Sequence, residues 1–177
     1  DVCNVDVMEN AIQRFVAQYG KLHGSVHAAG VAGFTPLRAY DKAYARKIMD
    51  TSFWAGMDLL QIVTKNKYAE SASSNVLFSS ADAVYSGKGK FAYSAAKAAI
   101  NSAVRAVAKE VCAKQHRVNA IMPGWVDTPM TAGSEGMIDV SGIASNELLG
   151  TGKPDDVSGM VLFLLSNRSR WITGSTI

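Results

Sequence analysis

The stretch SSADAVYSGKGKFAYSAAKAAIN, residues 79–101, decides how this chain is expected to fold. Its two serines end the apolar run NVLFSS (75–80), and its second half is rich in alanine. A short apolar run bounded by turn residues is typical of a buried strand, whereas alanine-rich sequence favours a helix. We therefore predict a strand, a loop and then a long helix from about residue 91 to residue 113.

Helices and apolar strands alternate along the rest of the chain as well. The predicted elements are a helix over 6–19, a strand over 25–30, a helix over 41–67, a strand over 117–124, a helix over 153–166 and a strand from 171. The first helix is expected to have Asp6 as its N-cap and to end at Gly20. Such alternation favours right-handed βαβ units. The predicted fold class is α/β, with a doubly wound parallel sheet in a single domain over residues 1–177.

The predicted strands have their carboxyl ends at Gly30, at Ser80 and at Pro123 with Gly124. Ligands of open α/β sheets bind in the crevice beyond these ends. The polar groups that follow the second strand are therefore expected to face a ligand.

Tyr93 and Lys97 lie four residues apart on the predicted helix, so their side chains share one face. An ammonium group beside a phenol lowers the pKa of the phenol, which would make Tyr93 a usable acid or base at neutral pH. The Ser80 hydroxyl is placed to hold the same substrate oxygen, and two donors on one oxygen polarise a carbonyl toward hydride attack.

The alternative is a solvated Tyr–Lys pair with no catalytic role. The same helix face continues as an apolar stripe with Ile100, Val104, Val107 and Val111. The pair then stands at the start of a core-facing stripe, which favours the catalytic interpretation.

Composition narrows the class of partner. The chain has 48% hydrophobic and 19% charged residues and a net charge of +3, with its basic residues scattered. We therefore expect a small-molecule substrate, no nucleic acid and no membrane. Cys3 and Cys112 show no metal or redox spacing, and His23, His27 and His116 show no ligand spacing, so we expect a cytoplasmic protein without a metal.

Ser80, Tyr93 and Lys97, with HAAG (27–30) upstream and PGWVDTPM (123–130) downstream, resemble the short-chain dehydrogenase/reductase family. Residues 152–177 are similar to the closing helix and strand of that family. The resemblance implies a Rossmann-like fold, NAD or NADP as the cofactor, and an alcohol or ketone as the substrate. It also implies a homo-oligomer, a dimer or a tetramer, in which small residues let helices of two subunits approach closely. These small residues are Ala55, Gly56, Ala99 and Ala103.

The resemblance also implies roles for single residues. Tyr93 would be the general acid/base, Lys97 would lower its pKa and hold the nicotinamide ribose, and Ser80 would orient the substrate oxygen. Asp1, in an Asp-Val element, would contact adenine. The implied cofactor-binding residues are Asp1, Val2, Ala29, Gly30, Tyr93, Lys97, Pro123, Gly124, Val126 and Thr128.

Two features depart from the family pattern. The family opens with a strand, a TGxxxGxG turn and a helix, which are absent here, so we expect a partial chain that lacks the first βαβαβ segment. Neither SGKGK (86–90) nor GTGK (150–153) has the context of a phosphate loop.

Asp50 appears at the place where the family has an Asn in a proton relay, and a carboxylate there would raise the pKa of Lys97. A one-residue slip or a solvated Asp50 is the alternative.

The main prediction is an NAD(P)-dependent oxidoreductase that interconverts a secondary alcohol and a ketone. A non-catalytic dinucleotide sensor or scaffold of the same fold is the alternative, and a pure interaction module is a third possibility. The choice between NAD and NADP stays open. The substrate also stays open, because the loop from Thr131 to Gly150 follows no readable rule.

Overall fold

The computed structural model describes residues 1–132 and 147–177, and a parallel sheet lies at its centre. The strands are β1 (Leu22–His27), β2 (Ala69–Phe78) and β3 (Arg117–Ile121), in the spatial order β1-β2-β3. Residues 174–177 extend the sheet beyond β3, since the Gly174 amide donates to the Val118 carbonyl. All these segments run in one direction, so their carboxyl ends meet at one edge.

Helices connect the strands. They are α1 (Val5–Tyr19), α2 (Lys42–Met49), α3 (Ala55–Val63), α4 (Asp82–Tyr85), α5 (Phe91–Val111), α6 (Pro129–Ala132) and α7 (Pro154–Leu165). A π-helical turn, Asp50–Trp54, joins α2 to α3, so the long helix predicted over 41–67 is interrupted. Single 3₁₀ turns lie at Leu37–Ala39, Cys112–Lys114 and Asn167–Ser169.

The two faces of the sheet are covered by different helices, because alternate strand residues point to opposite sides. Leu77 packs with Val104 of α5 and with part of α3 on one face. Val76 and Ile121 pack with Leu164 of α7 on the other face. This three-layer arrangement is the doubly wound, Rossmann-like α/β fold that the sequence predicts.

The start of α1 corrects one predicted cap. The Asn4 side chain accepts a hydrogen bond from the Val7 amide at 3.0 Å, so Asn4 is the N-cap in place of Asp6. Asp6 lies in the first turn, where a carboxylate interacts favourably with the helix dipole. Gly20 ends the helix as predicted, with φ of 87°.

Strand β2 begins six residues before the predicted start at Asn75. Leu22 pairs with Ala69 but Gly24 pairs with Ser74, so the early part of β2 bulges away from β1. Ala72 takes a left-handed conformation there, with φ of 63°. The polar sequence AESASS carries no alternation of apolar residues, which is why the prediction missed this part of the strand.

Candidate active site

The segments that leave the sheet at its carboxyl edge are tied together by backbone hydrogen bonds. The Ser79 amide donates to the Ile121 carbonyl at 2.8 Å, and the Ala81 amide donates to the Pro123 carbonyl at 2.9 Å. These two bonds fix Ser80 beside the segment that follows β3. The loop with Ala29 and Gly30 leaves the neighbouring strand at the same edge.

Helix α5 brings Tyr93 and Lys97 to this edge on its inward face. Lys97 is 5% exposed, and its Nζ donates to the Phe78 carbonyl at 2.7 Å. Tyr93 packs against Ile48 and Ala96. The solvated-pair alternative therefore does not describe this lysine, which is buried and anchored to the end of β2.

The pKa of Tyr93 is raised above its ordinary value, chiefly because the ring is buried. A hydrogen bond with the Ser80 side chain acts to lower it, and the nearby Asp82 carboxylate acts to raise it. The predicted lowering by Lys97 is wrong for this geometry. The Lys97 Nζ lies over the ring, 5.5 Å from its centroid, and donates to a carbonyl instead of the phenol.

Burial also changes the basic groups around Tyr93. It lowers the pKa of Lys97 from 10.5 to about 8. Burial, followed by the charge of Lys97, lowers the pKa of His27. The His27 Nε2 has no hydrogen-bonding partner among residues 1–132 and 147–177. At the carboxyl edge of the sheet, burial therefore makes the charged form of Lys97 less favourable and favours the neutral form of His27.

The structure does not bring Asp50 to Lys97, which corrects the predicted relay position. Asp50 is exposed at the start of the π turn, and the pKa of Lys97 is lowered where a neighbouring carboxylate would raise it. Ser52 is fully buried, and its Oγ accepts from the Val31 amide at 3.5 Å. Ser52 therefore takes the inward position. Of the two alternatives, the solvated Asp50 is the one observed.

Gly30 lies between these groups. A Cβ on Gly30 would stand 3.5 Å from the Ser52 Oγ and 3.6 Å from the Lys97 Nζ. The glycine leaves a shallow recess with hydroxyl and ammonium donors on its walls. An ammonium has three donors, and the Phe78 carbonyl accepts one of them, so this recess could hold a ligand that carries hydroxyl groups.

The segment after β3 keeps most of its polar groups paired. The Glu147 carboxylate accepts from the Trp125 amide at 2.9 Å and lies over Gly124. The Thr128 and Thr131 hydroxyls are 3.3 Å apart, and Thr131 donates to the Val126 carbonyl at 2.8 Å. The contacts of this segment with a cofactor stay a prediction.

Asp1 and Val2 lie at the start of the chain, before α1. The Asp1 carboxylate accepts from the Cys3 amide at 2.9 Å, and the Cys3 Sγ lies 3.6 Å from the Thr51 hydroxyl. This places the first residues near the π turn. Their predicted contact with adenine is not tested by these contacts. Residues 133–146 of the predicted substrate loop lie outside the described residues.

Sequence reasoning missed two charged residues at the site. The Asp82 amide donates to the Ser80 Oγ at 3.2 Å, and the Asp82 carboxylate is 3.0 Å from the Lys90 Nζ. The available signal was their spacing, since Asp82 is two residues after Ser80 and Lys90 is three residues before Tyr93. This spacing is a weak signal, because charged residues near turns are usually solvated.

Within the described ranges, no group of three or more His, Cys, Asp or Glu side chains is arranged to hold a metal ion. No helix in the part of the chain that the structure describes is long and apolar enough to cross a membrane.

Comparison with known proteins gives one consistent result. All of residues 1–177 match the family described as Enoyl-(Acyl carrier protein) reductase. The chain is 30% identical over 177 residues to 3-oxoacyl-[acyl-carrier-protein] reductase FabG of Chlamydia muridarum and 27% identical to FabG of Thermotoga maritima. These alignments cover 100% of this chain and 71% and 72% of the two relatives.

Two solved structures have the same fold. A short-chain type dehydrogenase/reductase from Mycobacterium ulcerans superposes with a TM-score of 0.91 at 28% identity, over 100% of this chain and 66% of that chain. A blue fluorescent protein from a metagenomic library, in complex with NADPH, superposes with a TM-score of 0.90 over 71% of its length. At 23% identity, the second likeness concerns the fold alone.

Proposed function

Because the chain belongs to the short-chain dehydrogenase/reductase family, we propose that it interconverts a secondary alcohol and a ketone with NAD or NADP as cofactor. The observation that carries the proposal is the meeting of Ser80, Tyr93 and Lys97 at the carboxyl edge of the sheet. A bound nicotinamide supplies or accepts the hydride. The protein supplies the proton, the orientation of the substrate oxygen and the anchor for the ribose.

Tyr93 moves the proton in this proposal. Since its pKa is raised, the phenol is protonated near neutral pH and is ready to donate to a carbonyl oxygen. Ser80 donates to the same oxygen and so stabilises the charge that develops on it. The geometry thus favours ketone reduction near neutral pH, whereas alcohol oxidation requires the phenolate and is favoured at higher pH.

Lys97 has a holding role. Its bond to the Phe78 carbonyl fixes the ammonium at the Gly30 recess. There its other donors would bind the ribose hydroxyls of a dinucleotide. Ser52 supplies the hydroxyl of this recess. The sensor alternative rested partly on Asp50, and the exposed position of Asp50 removes that argument.

The first substrates to test are 3-oxoacyl thioesters, because two relatives are named as 3-oxoacyl reductases. Acetoacetyl-CoA is a suitable probe, with a panel of simple ketones beside it. Oxidation of NADPH and of NADH in parallel assays decides the cofactor preference.

Replacement of Tyr93 by Phe tests the proton-transfer role. The ring and its packing remain, so cofactor binding should be unchanged while kcat falls by about 10²- to 10⁴-fold. Tyr85→Phe is the matched control, because Tyr85 is 83% exposed and should keep wild-type turnover. Wild-type turnover in the Tyr93→Phe variant would reject the assignment.

A homo-oligomer remains part of the proposal, with a smaller set of candidate contact residues. Ala55 and Gly56 are buried within the chain, where Gly56 packs on Leu77, so they cannot form the expected subunit contact. Ala99 and Ala103 keep partial exposure on α5. Sedimentation velocity of the purified protein tests the assembly, and a monomer at all concentrations would reject it.

A further inference from the structure

A charged pair links the two segments that carry the Ser80 hydroxyl and the Tyr93 phenol. Asp82 follows Ser80 by two residues, and its amide donates to the Ser80 Oγ at 3.2 Å. Lys90 precedes Tyr93 by three residues, and its Nζ lies 3.0 Å from the Asp82 Oδ2. The ion pair therefore closes the loop from α4 to α5 at its two ends.

This pair differs from an ordinary surface ion pair in its surroundings. The Lys90 and Asp82 side chains are only 14% and 22% exposed. A Cβ on Gly87 would stand 3.4 Å from the Lys90 Cδ and 3.6 Å from the Asp82 Oδ1, so the loop packs on both side chains. The Trp125 ring lies 5.9 Å from the Lys90 Nζ. Partial burial makes the geometry of the pair more restricted than that of a solvated pair.

Lys90 occupies an unfavourable place for a cation. It is the N-cap of α5, a helix of 21 residues, and its side chain makes no cap hydrogen bond. A positive charge at a helix N-terminus opposes the helix dipole. The Asp82 carboxylate compensates for this charge and adds a negative group where the dipole favours one.

We propose that Asp82 and Lys90 are positioning residues that hold the Ser80 hydroxyl and the Tyr93 phenol on one substrate oxygen. The proposal rests on the proposed function, since it concerns the same two groups. It goes further because it assigns a role to two side chains that touch neither the ribose recess nor the reacting atoms.

The pair also has an electrostatic effect on Tyr93. Lys97 on α5 lies over the Tyr93 ring, and the Asp82 carboxylate on α4 acts on its phenol. Tyr44 on α2 packs against the same buried cluster as Tyr93, and its hydroxyl donates to the Ala32 carbonyl. Among these groups, Asp82 acts to raise the pKa of Tyr93. The carboxylate thereby helps to keep the phenol protonated.

The test uses four variants of the full chain: Asp82→Asn, Lys90→Gln, the charge exchange Asp82→Lys with Lys90→Asp, and Lys88→Gln. Lys88 is exposed in the same loop, so its variant is a control for charge removal. One readout is turnover of acetoacetyl-CoA with NADPH as a function of pH. The other is NMR titration of labelled tyrosine Cζ, with Tyr93→Phe used to assign the signal, and it requires no activity.

The positioning role predicts that each single variant at Asp82 or Lys90 loses about 10- to 100-fold in kcat. The charge exchange restores the pair and should regain most of that loss. It also places a cation near Tyr93, so the phenol titrates at lower pH than in the wild type. Lys88→Gln should stay within about twofold of wild type, since exposed charges contribute little.

The two proposals fail in different ways. If the wild type reduces acetoacetyl-CoA while Asp82→Asn and Lys90→Gln match it in both readouts, the pair has no positioning role. The same conclusion follows if Lys88→Gln is as damaging as Lys90→Gln. Suppose that neither the wild type nor any variant turns over a ketone, but that the charge exchange lowers the pH at which Tyr93 titrates. The pair then acts on the phenol, and the proposed reaction is wrong.

Discussion

Replacement of Lys97 by Met should stabilise the fold while it abolishes activity. Burial lowers the Lys97 pKa from 10.5 to about 8, and at about 1.4 kcal/mol for each pKa unit the charged side chain costs the folded state about 3 kcal/mol at neutral pH. Met removes this cost and also removes the hydrogen bond of the charged ammonium to the Phe78 carbonyl, which is worth about 1.5 to 3 kcal/mol. The expected net gain is about 0 to 1.5 kcal/mol.

The sign of the pH dependence gives a second check on the same residue. Between about pH 8 and pH 10.5 the unfolded chain binds the Lys97 proton and the folded chain does not, so wild-type stability should rise with pH across this window. The Met variant should lose this rise. Urea unfolding at several pH values measures both effects, and the thermal midpoint at neutral pH should increase by up to about 4 °C.

Lys109→Met is the matched control for that experiment, because Lys109 is exposed near the end of the same helix. Its stability should stay within about 0.5 kcal/mol of wild type at every pH. The reasoning is refuted if Lys97→Met is less stable than wild type near neutral pH and shows the same pH dependence.

Three further predictions concern stability. The Glu9 pKa is lowered from 4.5 to about 2, chiefly by its hydrogen bond with Lys67. The stability that the Glu9 carboxylate contributes is therefore complete above about pH 4.5 and is lost as the pH falls toward 2. Glu9→Gln should remove that part of the acid dependence of the melting temperature. Arg117 donates four hydrogen bonds to the segment at the end of α7, and Arg117→Met should lower the free energy of unfolding by about 2 to 4 kcal/mol in urea titrations, with Arg117→Lys intermediate. Gly24→Ala would place a Cβ against the Ser74 carbonyl, and hydrogen exchange at the β1 amides should accelerate, whereas unchanged exchange would contradict the packing described.

The order of elements could be predicted from sequence because strands and helices have different apolar periods and because Gly20 marks a helix end. The meeting of Ser80, Tyr93 and Lys97 followed from two simple facts. Parallel strands share a carboxyl edge, and residues four apart share a helix face. Neither inference required knowledge of any long-range contact.

The position of Ser52 was also within reach of the sequence. Ile48 and Ser52 are four residues apart, and both are fully buried, so the apolar face of α2 already pointed to Ser52. Asp50 lies on the opposite side of the helix. A family pattern gives a position along the chain, whereas the helical period decides which residue of the turn faces inward.

Other features depend on contacts that no local pattern carries. The raised pKa of Tyr93 comes from its burial and from the position of Asp82, and the lowered pKa of Lys97 comes from the layers packed around it. The start of β2 pairs with β1 at Ala69 and again from Ser74 onward, and the bulge between these residues carries no apolar alternation. Such properties follow from the assembled structure, because burial is decided by residues distant in sequence.

The acceptor for the Lys97 ammonium is the main-chain carbonyl of residue 78, and this has a genetic consequence. A main-chain carbonyl is present whatever side chain the codon specifies, so substitutions at residue 78 that preserve the strand leave the anchor intact. In a saturation mutagenesis screen for activity, residue 97 should tolerate almost no replacement while residue 78 accepts several hydrophobic ones. Covariation between the two positions should be weak, although their atoms are in direct contact.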